Sequence, residues 1–204
     1  MPSPREELQE DYSDAGGSVL VVGFGRVGQI AAQPLLAEGI TMTFLDHDAD
    51  RVREAQRFGS RVHFGDGRRR EVLQAAGAAE ARAIVIATDD PETTLAITRL
   101  AAREFPGARL IVRAFDRIHA VSLSNEAVDG IVRETFASAL EIGAEGLRSL
   151  GYSEVEAQRV VEDIRQRDGM RLREQVTIAR GQRDRSGIVA AIAPQPLVQR
   201  RDDA

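Results

Sequence analysis

An apolar run, Val19 to Val22, passes directly into Gly23-x-Gly25-x-x-Gly28 and from there into a helical pattern. That order dictates a strand, a phosphate-binding turn and a helix. Gly23 allows the tight turn, Gly25 lets the backbone approach a pyrophosphate with no Cβ in the way, and Gly28 lets the helix pack closely on the sheet. The N–H groups at the helix start then face an anion. A second apolar run, Thr41 to Leu45, ends in Asp46, 18 residues past Gly28, where a carboxylate can accept hydrogen bonds from the ribose hydroxyls of an adenosine. Together these features place a nucleotide site at Gly23, Gly25, Gly28 and Asp46; the alternative is a purely structural glycine-rich turn.

Six short β-branched runs set the architecture: Val19–Val22, Thr41–Leu45, Val62–Phe64, Ala83–Ala87, Arg109–Arg113 and Gly130–Val132. Their starts lie 22, 21, 21, 26 and 21 residues apart, which is the length of a βα repeat. Right-handed crossovers then give an α/β fold with a six-stranded parallel sheet of Rossmann type, in the order 3-2-1-4-5-6. Asp48, Asp66 and Asp90-Pro91 are read as helix starts, with the first two helices stopping before Gly59 and Gly77. Arg133–Leu150 reads as a helix with Phe136, Leu140, Ala144 and Leu147 on one stripe, and Ser153 with Glu156 forms a capping box for the next helix. The pair either folds back on its own sheet or crosses to a second subunit, and the second reading is preferred.

The expected organisation is a linker over 1–17, a nucleotide-binding domain over 18–132, crossover and dimerisation helices over 133–168, and a mostly disordered tail over 169–204. The tail carries seven arginines against four acids, and Val176–Ile178 and Ile188–Ile192 read as short strands or docking segments at most.

Composition excludes several chemistries. There is no cysteine, so no thiolate nucleophile or cysteine-ligated metal exists, and all 27 basic residues are arginine, which removes a P-loop lysine and any Schiff base. The three histidines, His47, His63 and His119, have no metal-ligand spacing. A formal net charge of −5 argues against nucleic acid as a partner. No apolar stretch has the length of a membrane span, and a chain that is itself soluble and intracellular is expected.

GFGRVGQ at 23–29, LDHD at 45–48, FGD at 64–66, ATDDPETT at 87–94, RAFD at 113–116 and RETFASALE at 133–141 are similar to the KTN/RCK (TrkA-N) regulatory domains, and most of all to the cytoplasmic domain of Kef-type glutathione-gated potassium efflux systems. The resemblance spans Ser18 to about Asp168. It implies a non-enzymatic regulatory domain that binds AMP or NAD(H), forms a homodimer through the crossover helix and acts on a membrane antiporter, at the cytoplasmic face of a bacterial inner membrane. The antiporter is either fused to the domain or encoded separately; the acidic opening segment favours a fragment of a fused protein. The alternatives are a stand-alone Trk-type potassium uptake subunit and, less favoured, a small NAD-dependent oxidoreductase.

The implied nucleotide set is Gly23, Gly25, Arg26, Val27, Gly28, Asp46, His47, Asp66, Thr88 and Asp89, with Arg26 by the phosphates, Asp46 on the ribose and Asp66 near the adenine. Asp66 is equally well read as a helix cap, and His47 as an exposed loop residue. The glutathione positions of the Kef pattern correspond to Gln33, Asp116, Arg133 and Asp168. Gln33 stands where an arginine is expected and Asp168 where an asparagine is expected, so the glutathione set is incomplete.

Overall fold

A computed structural model describes residues 10–57 and 61–181. In chain order the elements are β1 Val19–Val22, α1 Arg26–Ala37, β2 Met42–Asp46, α2 Ala49–Arg57, β3 Val62–Phe64, α3 Arg70–Ala75, β4 Ala83–Ile86, α4 Pro91–Glu104, β5 Arg109–Ala114, α5 Arg117–Leu123, β6 Gly130–Arg133, α6 Phe136–Ser149 and α7 Glu154–Gly181. The chain divides into two compact units. One runs to Phe115 and adds Glu126–Val132; the other joins Asp116–Asn125 to the residues from Arg133 onward.

The first unit holds the sheet, in the order β3-β2-β1-β4-β5-β6. Every pairing resolved in register is parallel: Val19 lies beside Met42 on one side and Ala83 on the other, and Phe44 beside Val62. The architecture is the six-stranded Rossmann sheet expected from the repeat length. Both faces of β1 are covered, which is why its four residues are uninterrupted hydrophobics rather than an alternating pattern. Val19, Val21, Phe44 and Val62 meet Ala32, Val52 and Ala55 on one face, with Phe24 edge-on to Phe44 at 5.0 Å between ring centroids. Leu20, Leu45, Leu73, Ile84, Ile86 and Ile97 are also fully buried in this unit.

Local chemistry explains the helix starts. Asp90 accepts from the Thr93 N–H at 2.7 Å, and Pro91 opens α4 where its missing N–H costs nothing. Asp48 accepts from the N–H groups of Asp50 and Arg51 at the head of α2. Asp66 is a correction. It does not cap α3, which begins at Arg70 with Arg69 in the cap position; its carboxylate instead accepts from the Arg68 N–H, closing a turn ahead of the helix.

Residues 10–17, expected as linker, are fastened to the sheet. The Tyr12 hydroxyl donates to the Phe64 carbonyl at 3.0 Å, and the Gly16 and Gly17 N–H groups donate to Thr43 Oγ1. Asp14 pairs with Arg61, and Glu10 with Arg69.

In the second unit α6 and α7 pack on each other, burying Ala144 against a face that includes Ala157 and Val161. Ser153 and Glu156 form the expected capping box: the Ser153 N–H donates to Glu156 Oε2 at 2.9 Å, and the Glu156 N–H to Ser153 Oγ at 3.3 Å. Two boundaries differ from expectation. Arg133 ends β6 rather than opening a helix, and α6 starts at Phe136. The second helix does not stop at Asp168 but continues to Gly181, so 169–181 are helix and Val176–Ile178 are not a strand. Gly169 costs a helix interior about 1 kcal/mol, and packing of Leu172, Val176 and Ala179 around Val121 of α5 overrides it. The expected segment Ile188–Ile192, with the remainder of the expected tail, lies outside the described residues.

Candidate functional site

The turn after β1 has the geometry its glycines suggest. Gly23 adopts φ +100°, a conformation that side chains resist, and its N–H donates to the Leu45 carbonyl at 2.8 Å. A Cβ on Gly28 would lie 2.0 Å from the Gly23 carbonyl oxygen, so α1 can approach the turn only with glycine there. Gly25 caps α1 in an extended conformation and supplies no side chain to the first-turn N–H groups. Those donors, and Arg26 exposed at the first helical position, carry the positive end of the helix.

Asp46 ends β2 beside this turn with its side chain 1% exposed. Its Oδ2 accepts from the Phe24 N–H at 2.7 Å and from Arg51 Nη1 at 3.0 Å; its Oδ1 accepts from the Asp48 N–H at 2.8 Å. A buried carboxylate with charged and backbone donors on both oxygens is held rigidly, and it ties the glycine turn to the start of α2. Arg51 was not singled out in the sequence. Its Nη2 also lies 3.7 Å from Asp48 Oδ2 and 3.9 Å from Asp89 Oδ2, so one guanidinium faces three carboxylates. Burial opposes its charge, but Asp46 and then Asp48 and Asp89 outweigh that and raise its pKa.

A shallow cleft opens at the carboxyl ends of β1 to β4. Of the residues expected at the site it is lined by Gly23, Asp46, His47, Asp66 and Thr88. Gly25, Arg26, Val27 and Gly28 belong to the adjoining turn and helix start, and Asp89 stands beside it, largely exposed. The lining also includes Gly65, Gly67 and Thr93, which sequence reasoning missed; the glycines on either side of Asp66 were the available signal. Asp66 is gripped by the Arg68 guanidinium, with Nη2 at 2.8 Å, and that hydrogen bond holds its carboxyl below the usual range. His47 is half exposed with Nδ1 3.7 Å from Asp46 Oδ1. Thr88 is buried, its hydroxyl 2.6 Å from that of Thr94.

The second expected set divides between the units. Gln33 is an exposed residue of α1 whose amide donates to the Gln29 carbonyl at 3.4 Å. Asp116, Arg133 and Asp168 all belong to the second unit. Asp116 caps α5 by accepting from the His119 N–H at 2.8 Å. Asp168, 3% exposed, is paired with both Arg117 and Arg133. Arg117 also donates through Nε to Gln175 Oε1 at 2.6 Å, and the Arg133 guanidinium lies 3.9 Å from the centre of the Phe136 ring. Arg117 and Gln175 were not foreseen: only the length of α7 brings Gln175 level with Arg117. Among the described residues no cluster of acids and histidines could hold a metal ion.

A parallel sheet in this strand order, a glycine turn leading into a helix, and a buried acid at the end of the second strand define a Rossmann-type domain. The chain belongs to the TrkA-N domain family, whose model matches residues 19–134. It is 38% identical over 179 residues to a "Glutathione-regulated potassium-efflux system protein" of Haemophilus influenzae, covering 86% of this chain and 29% of that protein. The chain thus spans less than a third of that relative's length. Among solved structures it resembles the "Shewanella denitrificans Kef CTD in AMP bound form", with a TM-score of 0.70 at 35% identity, covering 78% of this chain and 97% of the other. It shares its fold with the "GsuK channel bound to NAD", at a TM-score of 0.51 and 23% identity over 59% of this chain and 21% of that one.

Proposed function

We propose that the chain is the nucleotide-sensing regulatory domain of a Kef-type potassium/proton antiporter and binds AMP or NAD(H) at the mouth of β1 and β2. The observation that carries this reading is the buried Asp46 carboxylate set against the uncapped first turn of α1. One group accepts from ribose hydroxyls and the other offers N–H donors to a phosphate. The AMP-bound Shewanella domain supports the choice of ligand class. Asp46, Asp48 and Asp89 around one arginine leave the ribose end of the site net negative, which disfavours a 2′-phosphate and so NADP(H).

The domain acts by differential binding. A nucleotide that prefers one arrangement of the protein shifts the population, and a membrane partner, fused or separate, responds to the shift. Such a partner places the domain at the cytoplasmic face of the membrane; among the described residues no helix is long and apolar enough to cross a bilayer. A homodimer is built on α6, whose Ile142 is 74% exposed. Bound nicotinamide is not turned over: the imidazole lining the cleft, His47, faces Asp46, whose carboxylate is already engaged by the Phe24 and Asp48 N–H groups and by Arg51. Glutathione binds weakly or not at all: Asp168 already engages both Arg133 and Arg117, and Gln33 offers no charge to a carboxylate.

Calorimetric titration tests the reading. AMP or NADH should bind saturably, NADPH should bind more weakly, and Asp46→Ala should reduce AMP affinity by about tenfold or more, the loss expected for a hydrogen bond to a charged group. Equal affinity for NADH and NADPH would remove Asp46 from the ribose.

A further inference from the structure

Arg51 stands in the first turn of α2, where a cation faces the unfavourable end of the helix dipole. Its position is explained by the carboxylates it meets: Asp46 at 3.0 Å, with Asp48 and Asp89 at 3.7 and 3.9 Å. Nη1 also lies 3.7 Å from the point where a Cβ of Gly25 would be, so the guanidinium reaches over the glycine turn itself. A carboxylate oxygen offers two lone pairs. Those of Asp46 Oδ2 are filled by the Phe24 N–H and Arg51 Nη1, while Oδ1 carries one strong donor, the Asp48 N–H.

We propose that Arg51 is a specificity-determining residue of the nucleotide site: it occupies Asp46 Oδ2 and leaves Oδ1 to accept only one of the two ribose hydroxyls. The inference rests on the assignment of Asp46 to the ribose and adds what that assignment lacks, a reason for the site to read one hydroxyl and ignore the other. A free carboxylate at the end of the second strand would take both.

The test is a set of titrations of the unaltered chain with AMP, adenosine, 2′-deoxy-AMP and 3′-deoxy-AMP, repeated on Arg51→Ala and on Arg51→Met, which keeps most of the side-chain stem. In the unaltered chain one deoxynucleotide should bind within about twofold of AMP and the other about tenfold more weakly, the worth of one hydrogen bond to a charged acceptor. In either variant both deoxynucleotides should bind about tenfold more weakly than AMP, because Oδ2 is now open. Three results overturn the proposal. They are a tenfold penalty for both deoxynucleotides in the unaltered chain, a pattern unchanged on removing Arg51, and a loss of affinity for AMP but not adenosine in the variants, which would put Arg51 on the phosphate. Flat titrations with every adenine compound would instead remove the nucleotide reading beneath it.

Discussion

Asp168 shows how one side chain can determine what a cluster does. Its carboxylate, 3% exposed, is shared by Arg117 and Arg133, which are themselves mostly buried. Removing it leaves two cations packed in protein without their counter-ion, and breaking such a buried pair costs about 3 to 5 kcal/mol. Asp168→Ala should lower the urea midpoint by an amount corresponding to about 3 kcal/mol, and Asp168→Asn, which keeps the shape and one acceptor oxygen, should lower it less. A change below about 1 kcal/mol in the alanine variant, the range of an exposed surface pair, would contradict the burial of the cluster. At this scale the sequence was informative where one residue type answers one backbone demand. Gly23 and Gly28 were legible because a positive φ and a 2.0 Å approach admit nothing else. Arg51 was not, because an arginine in a helix reads as solvated surface until the fold turns it toward Asp46.

Among the elements, α7 and the segment at 10–17 were the least legible, for opposite reasons. The helix passes over Gly169, a residue that usually ends helices, because α5 supplies an apolar surface for Leu172, Val176 and Ala179. That surface comes from distant sequence, and local pattern does not contain it. The segment at 10–17 has the polar, glycine-containing composition of a linker, yet Tyr12 docks against Phe64 and Gly65. Burial pushes the Tyr12 hydroxyl up to about 12. A tyrosine in the unfolded chain or an undocked segment ionises near its ordinary value of about 10, so docking is fully favoured below that pH and weakens progressively as pH rises toward about 12. Amide exchange of residues 10–17, followed from pH 9 upward and corrected for intrinsic exchange, should lose protection above about pH 10, and Tyr12→Phe should abolish that dependence. Protection that is independent of pH across the window would mean that the hydroxyl does not hold the segment. Because Tyr12 lies against Gly65, next to Asp66 in the wall of the cleft, movement of this segment and occupancy of the cleft are physically adjacent events.

For the whole molecule, the strand order and the position of the cleft followed from spacing. Repeats of about 21 residues leave room for one strand and one helix, right-handed crossovers fix the sheet, and the carboxyl ends of its strands form the crevice. The boundary at 132/133 was expected, but the membership of α5 in the second unit was not legible. The strand β6 lies between α5 and the helix pair in sequence, yet α5 clusters with α7 through Val121 and Arg117. Every residue proposed for the nucleotide site lies in the first unit. The most direct measurement is a crystal structure of the chain grown with saturating AMP. The account predicts the ribose within hydrogen-bonding distance of Asp46, the phosphate on the N–H groups that open α1 beside Arg26, and the adenine toward Asp66. AMP bound elsewhere, or with its ribose turned away from Asp46, would contradict it.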